Sequence, residues 1–171
     1  MSRFQTLSPS RLSREDFVSA FADIYEHSPW VAEKAYDLGQ DASLDEIDSL
    51  HQRMADILLS ASHEAQLALI NAHPDLAGKA AIRGELTASS TAEQAGAGIS
   101  ECSAEEFARF TELNDAYKAK FGFPFIKAVK GSNRHQILAA FEERIHNSAE
   151  QEFATALAEI NKIALFRLQA L

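Results

Sequence analysis

Residues 103–122 have the sequence SAEEFARFTELNDAYKAKFG, and this stretch decides the fold class. Its large apolar and aromatic side chains recur every three or four positions, which is the period of an α-helix with one buried face. The stretch opens with a serine followed three residues later by a glutamate, a pattern typical of a helix start. It ends in glycine, which readily adopts the left-handed conformation that terminates helices. We therefore predict a long helix over 104–121.

The same start signal recurs along the chain. A serine is followed three residues later by Glu or Gln at Ser43, Ser90, Ser103 and Ser148, and Ser28 precedes a proline, which is tolerated at the first helical position. These starts, and the apolar spacing after them, predict a helix opened by Ser13, helices over 29–38, 44–60, 63–71, 104–121, 134–147 and 149–167, and shorter helical segments over 76–82 and 91–97.

The amino-acid composition also favours a helical fold. The chain has 30 Ala and 17 Leu but only 3 Val, 5 Thr and 3 Tyr, whereas strands draw on β-branched and aromatic residues. No alternating strand pattern, internal repeat or linker interrupts the helical segments. We predict an all-α fold, a single compact domain over 1–171 with about eight or nine helices.

Charge and cysteine content exclude several classes of function. Sixteen Lys and Arg against 25 Asp and Glu give a net charge of −9, which disfavours nucleic-acid and anionic membrane partners. The single cysteine, Cys102, excludes an intrachain disulfide and a Cys-rich zinc site. No apolar run approaches the ~18 residues of a membrane span, and the N-terminus does not resemble a signal peptide. We expect a cytoplasmic protein.

Two segments depart from routine helix connections. Pro74 disfavours the helical conformation at His73, so the preceding helix must end there and leave the imidazole at its exit. The second segment, 121–131, surrounds a glycine and a proline with large apolar residues and should pack inward. Its backbone amides at Ile126, Lys127 and Ala128 then form a candidate cradle for ligand oxygens.

The residues alone leave other interpretations open. Ser90 and Glu93 fit a simple capping box, and the apolar loop could merely fill the core. Glu143 and His146 form one half of a di-iron motif, but no second copy exists in the sequence. On these patterns alone, a non-catalytic helical interaction module stays a valid alternative to an enzyme.

Several segments together resemble the 2-oxo-4-hydroxy-4-carboxy-5-ureidoimidazoline (OHCU) decarboxylase family. The resemblance covers most of the chain from about residue 15 to 168, and its segments occur in the family's order. They are 28–30 (Ser-Pro-Trp), 73–76 (His-Pro-Asp-Leu), 90–94, 113–126 and 159–168. The resemblance implies cofactor-independent decarboxylation of OHCU to (S)-allantoin and CO₂, the last step of urate degradation, by a homodimer without a metal.

The resemblance also implies site residues. His73 matches the family's catalytic histidine and Glu93 is assigned to the catalytic group with it. The positions that match substrate contacts are Pro74, Ser90, Thr91, Ala92, Gln94, Phe125, Ile126, Lys127, Ala128, Val129 and Arg167. Because the chain is acidic, a local cation must meet the anionic substrate, and the candidates are Lys79, Arg83, Lys127 and Arg167.

Overall fold

The structure, a computed structural model, describes residues 3–77 and 86–171. These residues form eight α-helices, α1 (Arg14–Phe21), α2 (Trp30–Asp37), α3 (Ile47–Leu59), α4 (His63–Ala72), α5 (Ala88–Gly96), α6 (Ala104–Phe121), α7 (Arg134–Arg144) and α8 (Ala149–Gln169). Three short 3-10 helices span Pro9–Arg11, Ala42–Asp45 and Ile99–Glu101. Apart from one isolated bridge between Arg3 and Glu46, the described ranges hold no β-structure, and the all-α prediction is confirmed. Within those ranges no helix is long and apolar enough to cross a membrane.

Three of the predicted serine caps are present. The Ser13 hydroxyl accepts from the amide of Asp16 at the start of α1. Ser103 and Glu106 form a reciprocal capping box at the start of α6, with Oγ–N and Oε1–N distances of 3.1 and 2.9 Å. Ser148 and its partner glutamine form the same box before α8. Each box pairs two amide groups that would otherwise lack acceptors in the first turn.

The predicted capping box at Ser43 is wrong. Ser43 lies inside a 3-10 helix, and its amide donates to Asp41 Oδ1 at 2.8 Å. Helix α3 begins only at Ile47. In the predicted box, the Ser43 amide would donate to the side chain of Glu46. Asp41 accepts from that amide instead, because Asp side chains readily form hydrogen bonds to the amide two residues later.

The predicted cap at Ser28 is also wrong. The Ser28 hydroxyl donates to the carbonyl of Glu26 at 2.9 Å instead of accepting from the next turn. Pro29 precedes the first residue of α2, Trp30, rather than occupying the first helical position.

Contacts divide the chain into two units. Unit 1 comprises Met1–Ala72 and Ile160–Leu171, and unit 2 comprises His73–Glu159. Helix α8 contributes its first half to unit 2 and its second half to unit 1. The single domain over 1–171 therefore stays a prediction.

Each unit has an aromatic core. In unit 1, Phe17 packs against Phe21 with ring centroids 4.8 Å apart, and both rings are buried. In unit 2, Tyr117 of α6 is fully buried among the rings of Phe121, Phe123, Phe125 and Phe141. Edge-to-face packing around one ring stabilises this cluster beyond its buried area. The predicted inward packing of the loop after α6 is thereby confirmed.

Candidate functional site

His73 occupies the exit of helix α4. The helix ends at Ala72, so His73 is the first residue outside it, as Pro74 predicts. The His73 side chain is half-buried, and its Nε2 atom is shielded from solvent. Leu76 and Ala77 follow in a turn, so the described part of the helix predicted over 76–82 is not helical; residues 78–85, with Lys79 and Arg83, lie outside the described ranges.

The backbone after His73, residues 73–77 (the His73 loop), is fixed by side chains from two helices. Gln94 of α5 accepts from the Ala77 amide at 3.1 Å and donates to the Asp75 carbonyl at 3.3 Å. The Lys118 ammonium of α6 lies 2.6 Å from the Asp75 carboxylate. Gln94, predicted as a substrate contact, is thus also part of the scaffold that holds the loop.

Helix α5 shows that Ser90 and Glu93 do not form a capping box. The helix begins at Ala88, and the Thr87 hydroxyl caps it by accepting from the Ser90 amide at 3.2 Å. Ser90 is therefore inside the first turn, and its side chain is buried at 5% exposure. The helix therefore begins three residues before the predicted start at 91. The sequence pattern did not reveal this start, because the residue three positions after Thr87 is a serine and not Glu or Gln.

The side chains of 90–94 divide between the interior and the solvent. Ser90 and Gln94, one helical turn apart, are buried, and Glu93 beside them is half-buried. Thr91 and Ala92 are exposed on the other face. The inward face of α5 therefore presents three polar groups within unit 2.

The cap that Thr87 provides to α5 can be tested by its contribution to stability. We expect Thr87→Ala to lower the free energy of unfolding by about 1 kcal/mol, because the first turn loses a hydrogen-bond acceptor. Ser103→Ala at the confirmed box of α6 should lower it by a similar amount. Urea denaturation measures both, and an unchanged midpoint for Thr87→Ala would contradict the cap.

The residues 125–129 (the 125–129 segment) form a buried stretch of backbone. Phe125, Ile126, Ala128 and Val129 are each at most 8% exposed, and Lys127 is half-buried. Phe125 stacks on Phe141 of α7 with ring centroids 3.9 Å apart. This packing holds in place the backbone whose amides the sequence predicts as donors to ligand oxygens.

Two charged side chains contact the backbone of the 125–129 segment. Arg144 Nη1 donates to the Ile126 carbonyl at 2.6 Å, and its guanidinium carbon lies 4.3 Å from the centroid of the Phe125 ring. The Ala128 amide donates to Glu159 Oε1 at 3.3 Å. Because Glu159 engages one of the three candidate amides, the predicted cradle depends on the amides of Ile126 and Lys127.

Arg144 belongs to a buried polar cluster that sequence reasoning missed. The Glu152 side chain is fully buried and accepts from Tyr117 Oη at 2.6 Å, Arg144 Nε at 2.9 Å and Asn147 Nδ2 at 3.0 Å. Burial, and then the adjacent Glu152 carboxylate, raise the pKa of Tyr117 well above its usual range. The phenol therefore stays protonated and donates to the carboxylate.

Arg167 lies in unit 1 and already has a carboxylate partner. Its Nη2 donates to Glu26 Oε2 at 2.8 Å, and its Nη1 donates to the Asp23 carbonyl at 3.1 Å. Both side chains of the ion pair are at least nine-tenths buried. A buried pair neutralises its own charge, so the structure places Arg167 in an ion pair that the sequence did not predict.

The alternative metal pair lacks the required geometry. Helix α7 ends at Arg144, so Glu143 and His146 do not share one helix face, and both side chains are exposed. Across the described ranges, no group of three His, Cys, Asp or Glu side chains could hold a metal ion.

A surface cavity in unit 1 lies apart from the predicted residues. Its volume is about 650 Å³, and its lining includes Lys34, Arg53, Asp56 and Ile57. None of the predicted site residues lines it.

Comparison with known proteins identifies the family. The family model for OHCU decarboxylase matches residues 10–169. The 2-oxo-4-hydroxy-4-carboxy-5-ureidoimidazoline decarboxylase of Haloferax volcanii is 45% identical over 159 residues, which cover 93% of this chain and 90% of that protein. A protein of the same name from Halalkalicoccus jeotgali is 42% identical over 171 residues, which cover 100% of this chain and 93% of that protein.

A solved structure agrees with the sequence matches. The crystal structure of an (S)-allantoin synthase is similar with a TM-score of 0.75 at 33% identity. The match covers 95% of this chain and 52% of that chain, so this chain spans about half the length of that protein. Since the family model and two relatives above 40% identity each cover nearly the whole chain, the chain belongs to the OHCU decarboxylase family.

Proposed function

We propose that this chain decarboxylates OHCU to (S)-allantoin and CO₂ as the last step of urate degradation, with His73 as general acid and base. The observation that supports this most is the position of His73, at a helix exit on a tethered loop, in a chain that matches the family over residues 10–169. Family membership favours this enzyme over the alternative of a helical interaction module.

The chemistry requires no cofactor motif. In OHCU the departing carboxylate is attached to a ring carbon next to a C=N bond. When the bond to the carboxylate breaks, its electron pair moves into the C=N system and CO₂ leaves. The substrate thus carries its own electron sink, as a β-keto acid does, and the protein has to orient the carboxylate and supply a proton.

His73 is suited to deliver that proton. An imidazole titrates near neutrality and can give and accept a proton under physiological conditions. Delivery to one face of the intermediate would set the (S) configuration. Proton transfer by a positioned side chain typically accelerates a reaction roughly 10²–10⁴-fold. We expect the contribution of His73 to the rate to lie in this range.

The remaining site residues supply binding groups. The buried Ser90 and Gln94, with Pro74, are proposed to contact the substrate, together with the adjacent Thr91 and Ala92 backbone. The amides of the 125–129 segment are proposed to hold its oxygens, with Ile126 and Lys127 as the main donors. Half-buried Lys127 is a candidate cation within unit 2, and Arg167 is retained as a second candidate although Glu26 partners it.

Glu93 gives a prediction that separates catalysis from capping. Because Thr87 and not Ser90 caps α5, Glu93→Gln removes no cap and should leave the free energy of unfolding within about 1 kcal/mol of the wild type. Turnover should fall by at least tenfold, roughly 1.4 kcal/mol in the activation barrier, since a carboxylate that orients His73 or binds the ureido group is lost. Thermal denaturation and kinetics on the same sample measure both quantities. Full turnover in a folded Glu93→Gln variant would remove Glu93 from the proposed site.

The direct test supplies freshly made OHCU, generated from urate by uricase and hydroxyisourate hydrolase, and follows its loss with and without this protein. The proposal expects loss in proportion to protein concentration. A rate that does not depend on the protein contradicts it.

We also propose a cytoplasmic homodimer. The resemblance to the family supports the dimer, and the single cysteine fits a reducing compartment. Sedimentation equilibrium and cell fractionation test these two statements separately. A monomer at micromolar concentration, or recovery outside the cytoplasmic fraction, would contradict the corresponding one.

A further inference from the structure

One peptide group of the His73 loop is held from both sides. Asn114 Nδ2 of α6 donates to the Leu76 carbonyl at 2.9 Å, and Gln94 Oε1 of α5 accepts from the Ala77 amide at 3.1 Å. The Leu76 carbonyl and the Ala77 amide belong to the same planar peptide unit. Two helices therefore fix the orientation of this plane, three residues after His73.

The backbone at Ala77 needs such a restraint. Its φ is +54°, in the left-handed region that side-chain-bearing residues seldom occupy. Such conformations persist where the surrounding structure determines them, and they concentrate at functional sites. Ala77 is 2% exposed, so the strained turn is packed as well as hydrogen-bonded.

Asn114 places a polar amide at a buried position of α6. Its side chain is 3% exposed, and its Oδ1 atom has no hydrogen-bond partner within residues 3–77 and 86–171. Burying an amide with an unpaired acceptor costs stability that a leucine of similar shape would not cost. The hydrogen bond from Nδ2 to the Leu76 carbonyl is therefore the specific contribution of the amide to the fold.

We propose that Asn114 is a positioning residue for His73. By clamping the 76–77 peptide against Gln94, it fixes the His73 loop and through it the place and tilt of the imidazole. This inference rests on the proposed role of His73 in proton transfer. A small displacement of a proton donor from its productive geometry lowers the rate of the reaction far more than it lowers the affinity for the substrate, because other groups still hold the substrate.

The test replaces the amide by shape-matched side chains. Asn114→Leu removes the donor, and Asn114→Asp replaces it by an acceptor that repels the Leu76 carbonyl. We expect both variants to lower kcat by about 10- to 100-fold and to leave KM within about threefold, since misplacement by 1 Å costs on this order. The ring signals of His73 in NMR spectra should shift in both variants without substrate.

Gln66 in unit 1 provides a matched control. It is a buried amide at 9% exposure whose Nε2 donates to the carbonyls of Leu58 and Leu59, and it touches no part of the His73 loop among the contacts described. Gln66→Met removes the same kind of bond from another helix end. We expect a lower Tm in that variant, with kcat and the His73 signals unchanged.

The outcomes separate the inference from the proposed function. If both Asn114 variants fold and retain wild-type kcat and wild-type His73 signals, the inference is wrong even though the decarboxylase activity stands. If the wild-type chain does not accelerate OHCU loss, the proposed function fails, whereas the NMR comparison still decides whether Asn114 sets the imidazole position. If Asn114→Leu does not fold, the same two readouts on Asn114→Asp decide.

Discussion

His73→Asn is expected to lose roughly 10²–10⁴-fold in kcat for OHCU while its fold stays intact. The substitution keeps a polar side chain at the exit of α4 but removes the imidazole of the His73 loop, and with it the proposed proton donor. Because His73 is half-buried and lies outside the helix, its replacement creates no large cavity. Rates of OHCU loss at equal concentrations of folded protein measure the effect.

The control for this prediction is another histidine. His63 lies at the other end of α4 and is exposed, so His63→Asn should retain wild-type kcat. Circular dichroism in the far ultraviolet verifies that both variants keep their helices. Wild-type turnover in a folded His73→Asn variant would refute the assignment of His73 as the proton donor.

Glu152→Ala is expected to lower the free energy of unfolding by about 3–5 kcal/mol, because it breaks a buried ion pair. The carboxylate is fully buried and pairs with Arg144, whose side chain is only 12% exposed. Its removal leaves a buried guanidinium without its counter-charge and Tyr117 Oη without its acceptor. Urea denaturation at neutral pH measures the loss.

An exposed ion pair of unit 2 calibrates this result. Glu142 contacts Arg109 at 3.1 Å, and the two side chains are 50% and 41% exposed. Since solvent screens such pairs, Glu142→Ala should change stability by less than about 1 kcal/mol. Equal losses in the two variants would show that burial does not govern the Glu152 cluster.

The local parts of the fold were predictable because their signals are local. Ser103 and Glu106 are three residues apart and form the expected box, and Gly122 ends α6 with a φ of +80°. Pro74 likewise ends α4 by steric conflict with its own neighbour. At these three positions a residue acts within its own turn, and the sequence predicts the outcome.

The same short-range logic fails where two caps compete. Ser90 and Glu93 have the spacing of a capping box, but Thr87 caps α5 one turn earlier without the glutamate that completes the pattern. A Ser-x-x-Glu pattern has the same sequence whether it lies inside a helix or at its start. Only the backbone conformation of the preceding residues distinguishes the two cases.

Long-range pairs lay beyond the reach of sequence analysis. Arg167 and Glu26 are 141 residues apart in the chain, and nothing in the pattern of charges pairs them. Arg144 lies between Glu143 and His146 in the sequence, whereas its contacts are with Glu152 and the Ile126 carbonyl. Tertiary packing decides which charges meet, so the positions of Arg144 and Arg167 required the structure.

The optical activity of the product tests the central claim most directly. Uncatalysed decarboxylation in solution protonates both faces of the intermediate equally and gives racemic allantoin. If the wild-type chain holds the intermediate and delivers the proton to one face, the circular dichroism of (S)-allantoin appears as OHCU disappears. The His73→Asn variant should return the mixture toward the optically inactive product. Optically inactive allantoin from the wild-type chain, formed at the rate seen without protein, would contradict the account.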